Sequence, residues 1–185
     1  MPPPEEIERG PRTGIPGATP TIRPTVDLEA PLSESERLKY EALLGKPAPV
    51  ARASDGLSAL IVDEDPNLRR DLTIILKGWG FDVAETPGGA TALKALAGRH
   101  FDLLACDLKL QEMDGYTLVR GARSYLRIRE TFIVVQTGMS DPKDEVAALN
   151  IGADAFFRKP HSRELLFARF KPLVRRIYER AAPKA

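Results

Sequence analysis

Four segments of this 185-residue chain end in side chains that can do chemistry. Leu60-Ile61-Val62 runs into Asp63-Glu64-Asp65, and the apolar run from Phe101 to Cys106 runs into Asp107. Ile133-Val134-Val135-Gln136 ends at Thr137-Gly138, and Ala155-Phe156-Phe157-Arg158 ends at Lys159-Pro160. Neighbouring carboxylates repel one another, so the acids at 63 to 65 either point into water or share a cation. A hard, octahedral Mg²⁺ suits an all-oxygen site that keeps several waters. Asp107 is followed by a turn, and a carboxylate so placed can attack phosphorus in line to form an acyl phosphate. A cation and an ammonium group then neutralise the transferring oxygens, because phosphoryl transfer depends chiefly on positioning and charge stabilisation.

These side chains need a scaffold that brings them to one edge. Apolar runs at 57–62, 81–85, 101–106, 131–136 and 153–157 read as five strands. Helical patterns at roughly 66–77, 87–97, 114–127, 141–150 and 162–181 follow them, with Gly78, Gly80, Gly98 and Gly152 at or just beyond helix ends. Five strand-helix repeats with short loops imply right-handed crossovers and an α/β fold whose parallel sheet is covered on both faces. In such sheets the reactive groups gather at the carboxyl ends of the strands. Pro172 is expected to kink the last helix, although Leu166, Phe170, Leu173, Val174 and Ile177 keep the helical register across it.

Acidic cluster, Asp107, Thr137 and Lys159-Pro160, in that order and separated by helices, resemble the receiver domain of two-component response regulators, over roughly residues 56 to 182. The resemblance implies a flavodoxin-like, doubly wound sheet in strand order 2-1-3-4-5 with five helices. It implies that Asp107 accepts a phosphoryl group from a histidine kinase or phosphotransfer protein, assisted by Thr137 and Lys159. Mg²⁺ is then held by Asp63, Glu64, Asp107 and the backbone carbonyl of Lys109. Glu64 stands where the family has a more direct aspartate ligand, and it reaches the metal directly or through water. Met113-Asp114-Gly115 matches the family's Met-Asp-Gly, with Asp114 as a helix cap, whereas Gln111 replaces a common proline. Thr137 and Phe156 occupy the switch positions, Lys109 and Met139 are placed to modulate acyl-phosphate hydrolysis, and Lys159-Pro160 is expected to be cis. Output passes to an unidentified downstream protein, with helix four, strand five and helix five (counted from residue 57) also offering a homodimer face.

Ten of the 16 prolines lie before residue 50, so residues 1–32 read as disordered. Ser33 and Glu36 have capping-box spacing, and Tyr40, Leu43 and Leu44 share one helical face, which predicts a short helix at 33–44, either a tether or a docking element. The chain thus divides into a Pro-rich arm at 1–56, a receiver at 57–182 and a tail at 183–185. The formal charge of +1, the single Cys106 and the absence of a secretory signal or a membrane-length apolar stretch point to a cytoplasmic protein with no membrane and no direct DNA contact. The last helix is nonetheless basic, with Arg163, Arg169, Lys171, Arg175, Arg176 and Arg180. Two other functions stay open: an adaptor that works without phosphorylation, and a haloacid-dehalogenase-type phosphatase. The phosphatase class has a second aspartate two residues after its nucleophile, where this chain has Lys109.

Overall fold

The computed structural model describes residues 31–48, 56–139 and 141–181. The disordered segment expected at 1–32 lies outside the described residues up to position 30, as do most of the linker at 49–55 and the tail. Three strands, β1 (Ser58–Val62), β3 (Leu103–Cys106) and β4 (Phe132–Thr137), are buried at every position. That pattern requires cover on both faces, which parallel strands receive from crossover helices. β2 (Asp82–Thr86) and β5 (Ala155–Arg158) are the part-exposed edges of a parallel sheet in the order β2-β1-β3-β4-β5. This is the flavodoxin-like order that the resemblance implies.

Among the described residues six α-helices accompany the sheet: α1 (Glu34–Leu44), α2 (Pro66–Gly78), α3 (Gly89–Gly98), α4 (Gly115–Arg120), α5 (Pro142–Asn150) and α6 (Arg163–Ala181). Leu72, Leu76, Leu166 and Phe170 from α2 and α6 pack on one face against Ile61, Leu103 and Val134. Leu93, Leu118 and Ala148 from α3, α4 and α5 pack on the other against Leu60, Leu104 and Ile133. Asp65, Asp114 and Asp141 cap α2, α4 and α5, each accepting a backbone N–H of the first turn. α6 runs through Pro172 as one helix, with Leu166, Phe170, Val174 and Ile177 on its buried face.

The helix expected at 114–127 is interrupted. After Arg120 the backbone takes a π-helical turn over Gly121–Tyr125. A Cβ on Gly121 would lie 2.7 Å from Cε1 of Tyr40, so the close approach of α1 requires glycine there. α1 itself begins with the expected capping box: Ser33 Oγ accepts from Glu36 N, and Glu36 accepts from Ser33 N at 2.8 Å. Gly45, at φ 72°, ends it. Tyr40 joins the same buried cluster as Leu93 and Leu118, stacks on Tyr125 with ring centroids 5.4 Å apart, and donates its hydroxyl to the Thr117 carbonyl at 2.9 Å. Tyr125 donates to the Gly45 carbonyl at 2.6 Å, and Glu36 pairs with the buried Arg120 at 3.3 Å. α1 is therefore docked on the receiver, as one of its two expected roles required.

Candidate functional site

Register brings the acids together. Val62 pairs with Cys106 across β1 and β3, so the next residues, Asp63 and Asp107, stand side by side at the carboxyl edge. Both are buried, and Lys159, one residue past β5, reaches them across β4. Its Nζ donates to Asp63 Oδ1 at 2.9 Å and to Asp107 Oδ2 at 2.6 Å. Asp63 Oδ2 also lies 2.8 Å from this ammonium, in the same ion pair. Asp107 Oδ1 accepts from the Lys109 amide at 3.1 Å, and Asp63 Oδ1 accepts from the Asp65 amide at 2.9 Å. Gly115 closes the loop beneath: a Cβ there would meet the Asp107 carbonyl oxygen at 2.1 Å, so the turn back toward α4 tolerates no side chain.

Thr137, the last residue of β4, is fully buried, and its Oγ1 accepts from the Met139 amide at 3.3 Å. Phe156 and Met139 are partly buried against the core beneath α3 and α4, the face to which Thr137 points by strand alternation. The Lys109 side chain is exposed. The described peptide bonds are all trans, including Lys159–Pro160, in place of the cis bond the resemblance implied. Trans is the lower-energy isomer of such a bond by about 0.5–1 kcal/mol.

Glu64 takes a different position from the one its place in the acidic cluster suggests. Its Oε1 accepts a hydrogen bond from the Gln111 amide in the loop after Asp107. A proline at 111 would have no N–H to give, so the two departures from the family pattern meet in one contact. With Glu64 so engaged, the described residues contain no gathering of three His, Cys, Asp or Glu side chains around a cation position. Two carboxylates remain, Asp63 and Asp107, and a Mg²⁺ that keeps its waters needs only one or two. Both are buried oxygen donors standing side by side at one edge, which fits such an ion.

Two residues absent from the sequence-based set belong to this edge. Arg69 Nη1 donates to the carbonyls of Asp63 at 2.7 Å and Glu64 at 3.2 Å, pinning the acidic turn from the first turn of α2. Gln136 is fully buried, and neither end of its amide has a hydrogen-bond partner. Leaving such a group unpaired costs about 1–3 kcal/mol.

Burial raises the Asp63 pKa above its ordinary 3.8; hydrogen bonds from Lys159 and the Asp65 amide oppose this, and the Asp107 charge adds to it. Burial works against the Lys159 charge, but hydrogen bonds to Asp107 and Asp63 outweigh it and lift the pKa above 10.5. A carboxyl group with a raised folded pKa holds its proton more tightly in the native state than in the unfolded one. Its contribution to stability is complete below pH 3.8 and is lost as pH rises through the elevated value. Denaturation titrations from about pH 4 to about pH 7 should therefore show the metal-free protein losing stability with rising pH relative to Asp63→Asn. Parallel profiles would contradict the assignment. Cys106, raised by burial and by the neighbouring acids, remains a thiol in the core.

Residues 59–171 match the profile of the response regulator receiver domain. Among curated proteins, the transcriptional regulatory protein GltR of Pseudomonas aeruginosa is 37% identical over 124 residues, covering 67% of this chain and 51% of GltR. The DNA-binding response regulator MtrA of Mycolicibacterium smegmatis is 38% identical over 117 residues, covering 63% of this chain and 50% of MtrA. This chain thus spans about half the length of these relatives. Among solved structures, a CheY-like receiver domain protein from Methanospirillum hungatei superposes with a TM-score of 0.59 at 26% identity, over 67% of this chain and 98% of that one. A two-component response regulator from Clostridium difficile gives 0.58 at 26%, over 65% and 98%. Among the described residues no helix is long and apolar enough to cross a membrane. With the sheet order, the paired carboxylates under one lysine and a profile match over most of the chain all in agreement, this protein belongs to the response regulator receiver domain family, signalling switches rather than classical enzymes.

Proposed function

We propose that Asp107 is the phosphoacceptor, taking its phosphoryl group from a histidine kinase or phosphotransfer protein. The observation that carries this reading is the Lys159 ammonium set between Asp63 and Asp107, 2.9 and 2.6 Å from their oxygens. In the transfer, an Asp107 carboxylate oxygen forms the new O–P bond as the P–N bond of a phosphohistidine breaks. The imidazole nitrogen keeps that electron pair. Lys159 then holds a phosphoryl oxygen, and the Thr137 hydroxyl donates to another.

Receiver domains bind Mg²⁺ at the phosphorylation site. Here Asp63, Asp107 and the Lys109 carbonyl would hold it, with Glu64 acting through the loop or through water. When bound, the ion supplies positive charge against the oxygens of the transferring group. Thr137 moving toward that group draws Met139 with it through their shared hydrogen bond, and Phe156 repacks on the same face of the sheet. Lys109 and Met139 set the lifetime of the acyl phosphate. Lys109→Ala and Met139→Ala should each change its decay rate, and an unchanged rate removes the residue from this role.

The proposed output is a protein contact at α5, β5 and α6, where Val146, Leu149 and Leu165 are exposed; a homodimer through this face is one form of it. Direct DNA contact by α6 is not part of the reading, and four of its basic side chains have partners within the domain. Arg169 lies over Phe157, Arg176 over Phe132, Arg175 pairs with Glu179 and Arg163 with Asp71. The test is incubation with a small phosphodonor and Mg²⁺, followed by intact mass and hydroxylamine treatment. One labile phosphoryl group per chain is the expected result. Rapid multiple turnover would replace the switch with a phosphatase, and absence of label would replace it with an adaptor.

A further inference from the structure

The partnerless amide of Gln136 lies in the reactive row. Cys106 pairs with Val135 across β3 and β4, which sets the following residues, Asp107 and Gln136, alongside each other. Gln136 follows Val134 by two and so faces the layer of Ile61, Ala105 and Phe157, the layer that Asp63, Asp107 and Lys159 also enter two residues beyond those positions. β4 lies between β5 and β3, and Gln136 pairs with Phe157. A lysine that starts beyond β5 and ends on Asp107 and Asp63 therefore passes over the carboxyl end of β4, on the face that Gln136 shares. The site thus holds unspent polar capacity in its buried layer, at both ends of the Gln136 amide.

We infer that Gln136 is a positioning residue for Lys159, offering its Oε1 to the ammonium when Asp63 turns to a divalent cation. The inference rests on the Mg²⁺ reading above. In the metal-free site Lys159 is shared between two carboxylates. Once Asp63 is committed to the ion, the part-buried ammonium keeps Asp107 alone and has room for a further acceptor. A neutral amide supplies one without adding a third negative charge beside two acids. Lysine and metal then cease to compete for Asp63, and Lys159 stays beside the oxygen that receives the phosphoryl group.

Isothermal titration of Mg²⁺ into the full chain and into Gln136→Leu, Lys159→Met and the double variant tests this. Leucine keeps the volume and removes the amide. Gln136→Leu should weaken Mg²⁺ binding about tenfold, equivalent to about 1.4 kcal/mol, while the metal-free melting temperature holds or rises, because no bond is lost in that state. In the Lys159→Met background the same substitution should change nothing. Equal affinities for wild type and Gln136→Leu overturn the inference, as does a tenfold loss that persists without Lys159. A fall in melting temperature at unchanged affinity makes Gln136 structural and also overturns it, with Gln136→Met repeating the measurement if leucine does not fold. A wild-type chain that binds no Mg²⁺ overturns the metal reading and this inference together, whereas Mg²⁺ binding indifferent to position 136 overturns only the latter.

Discussion

Asp107→Asn should abolish the labile phosphoryl label while leaving the fold intact. The amide oxygen of asparagine is neutral and forms no stable anhydride with phosphorus, so labelling should fall at least about a hundredfold, which corresponds to about 2.7 kcal/mol or more in transition-state free energy. Folding should survive because the local bonds persist. The side-chain oxygen of the substituted asparagine can still accept from the Lys109 amide, Lys159 keeps Asp63, and the backbone bond from Asp107 N to Val62 O at 2.9 Å does not involve the side chain. Intact mass after phosphodonor treatment reads the chemistry, and circular dichroism reads the fold. A variant that labels as fully as the parent would remove Asp107 from the acceptor role.

The second large effect concerns α1. Tyr40→Ala should destabilise the protein by about 3 kcal/mol, in the range of aromatic-to-alanine substitutions in cores. Tyr40 is 5% exposed, and truncation removes the stack on Tyr125, the bond to the Thr117 carbonyl and the filling of the space above Gly121. An undocked helix of 11 residues is marginal in water, so the loss spreads to Leu43 and Leu44, which pack on the same core. For a domain of this size the melting temperature should drop by about 6–12 °C. Tyr40→Phe, which loses only the hydroxyl contact, should recover most of it. A Tyr40→Ala midpoint equal to wild type would return α1 to the status of a tether.

Much of this was readable from local chemistry. The strand-helix alternation, the capping box at Ser33 and the cap at Asp114 depend on residues within a few positions of each other, whereas the helix expected at 114–127 gives way to a π-turn after Arg120. The site was readable because strand ends in a parallel sheet converge, so four terminal side chains announced one edge. The relations that were not legible span distance. Tyr40 finds Thr117, 77 positions along the chain, and Tyr125 beyond it, and nothing local marks Gly121 as the position where a neighbouring ring presses. Glu64 reads as one more acid in a run until Gln111 is placed beside it. Gln136 reads as the polar end of a strand, and only the crossing of Lys159 over β4 gives its amide a purpose.

The π-helical turn at Gly121–Tyr125 is, in pitch, an α-helix carrying one surplus residue. Excising a single residue there would restore ordinary winding and shift Tyr125 from its place against the Tyr40 ring. The bulge and the arm's tyrosine are thus a matched pair, of no use apart.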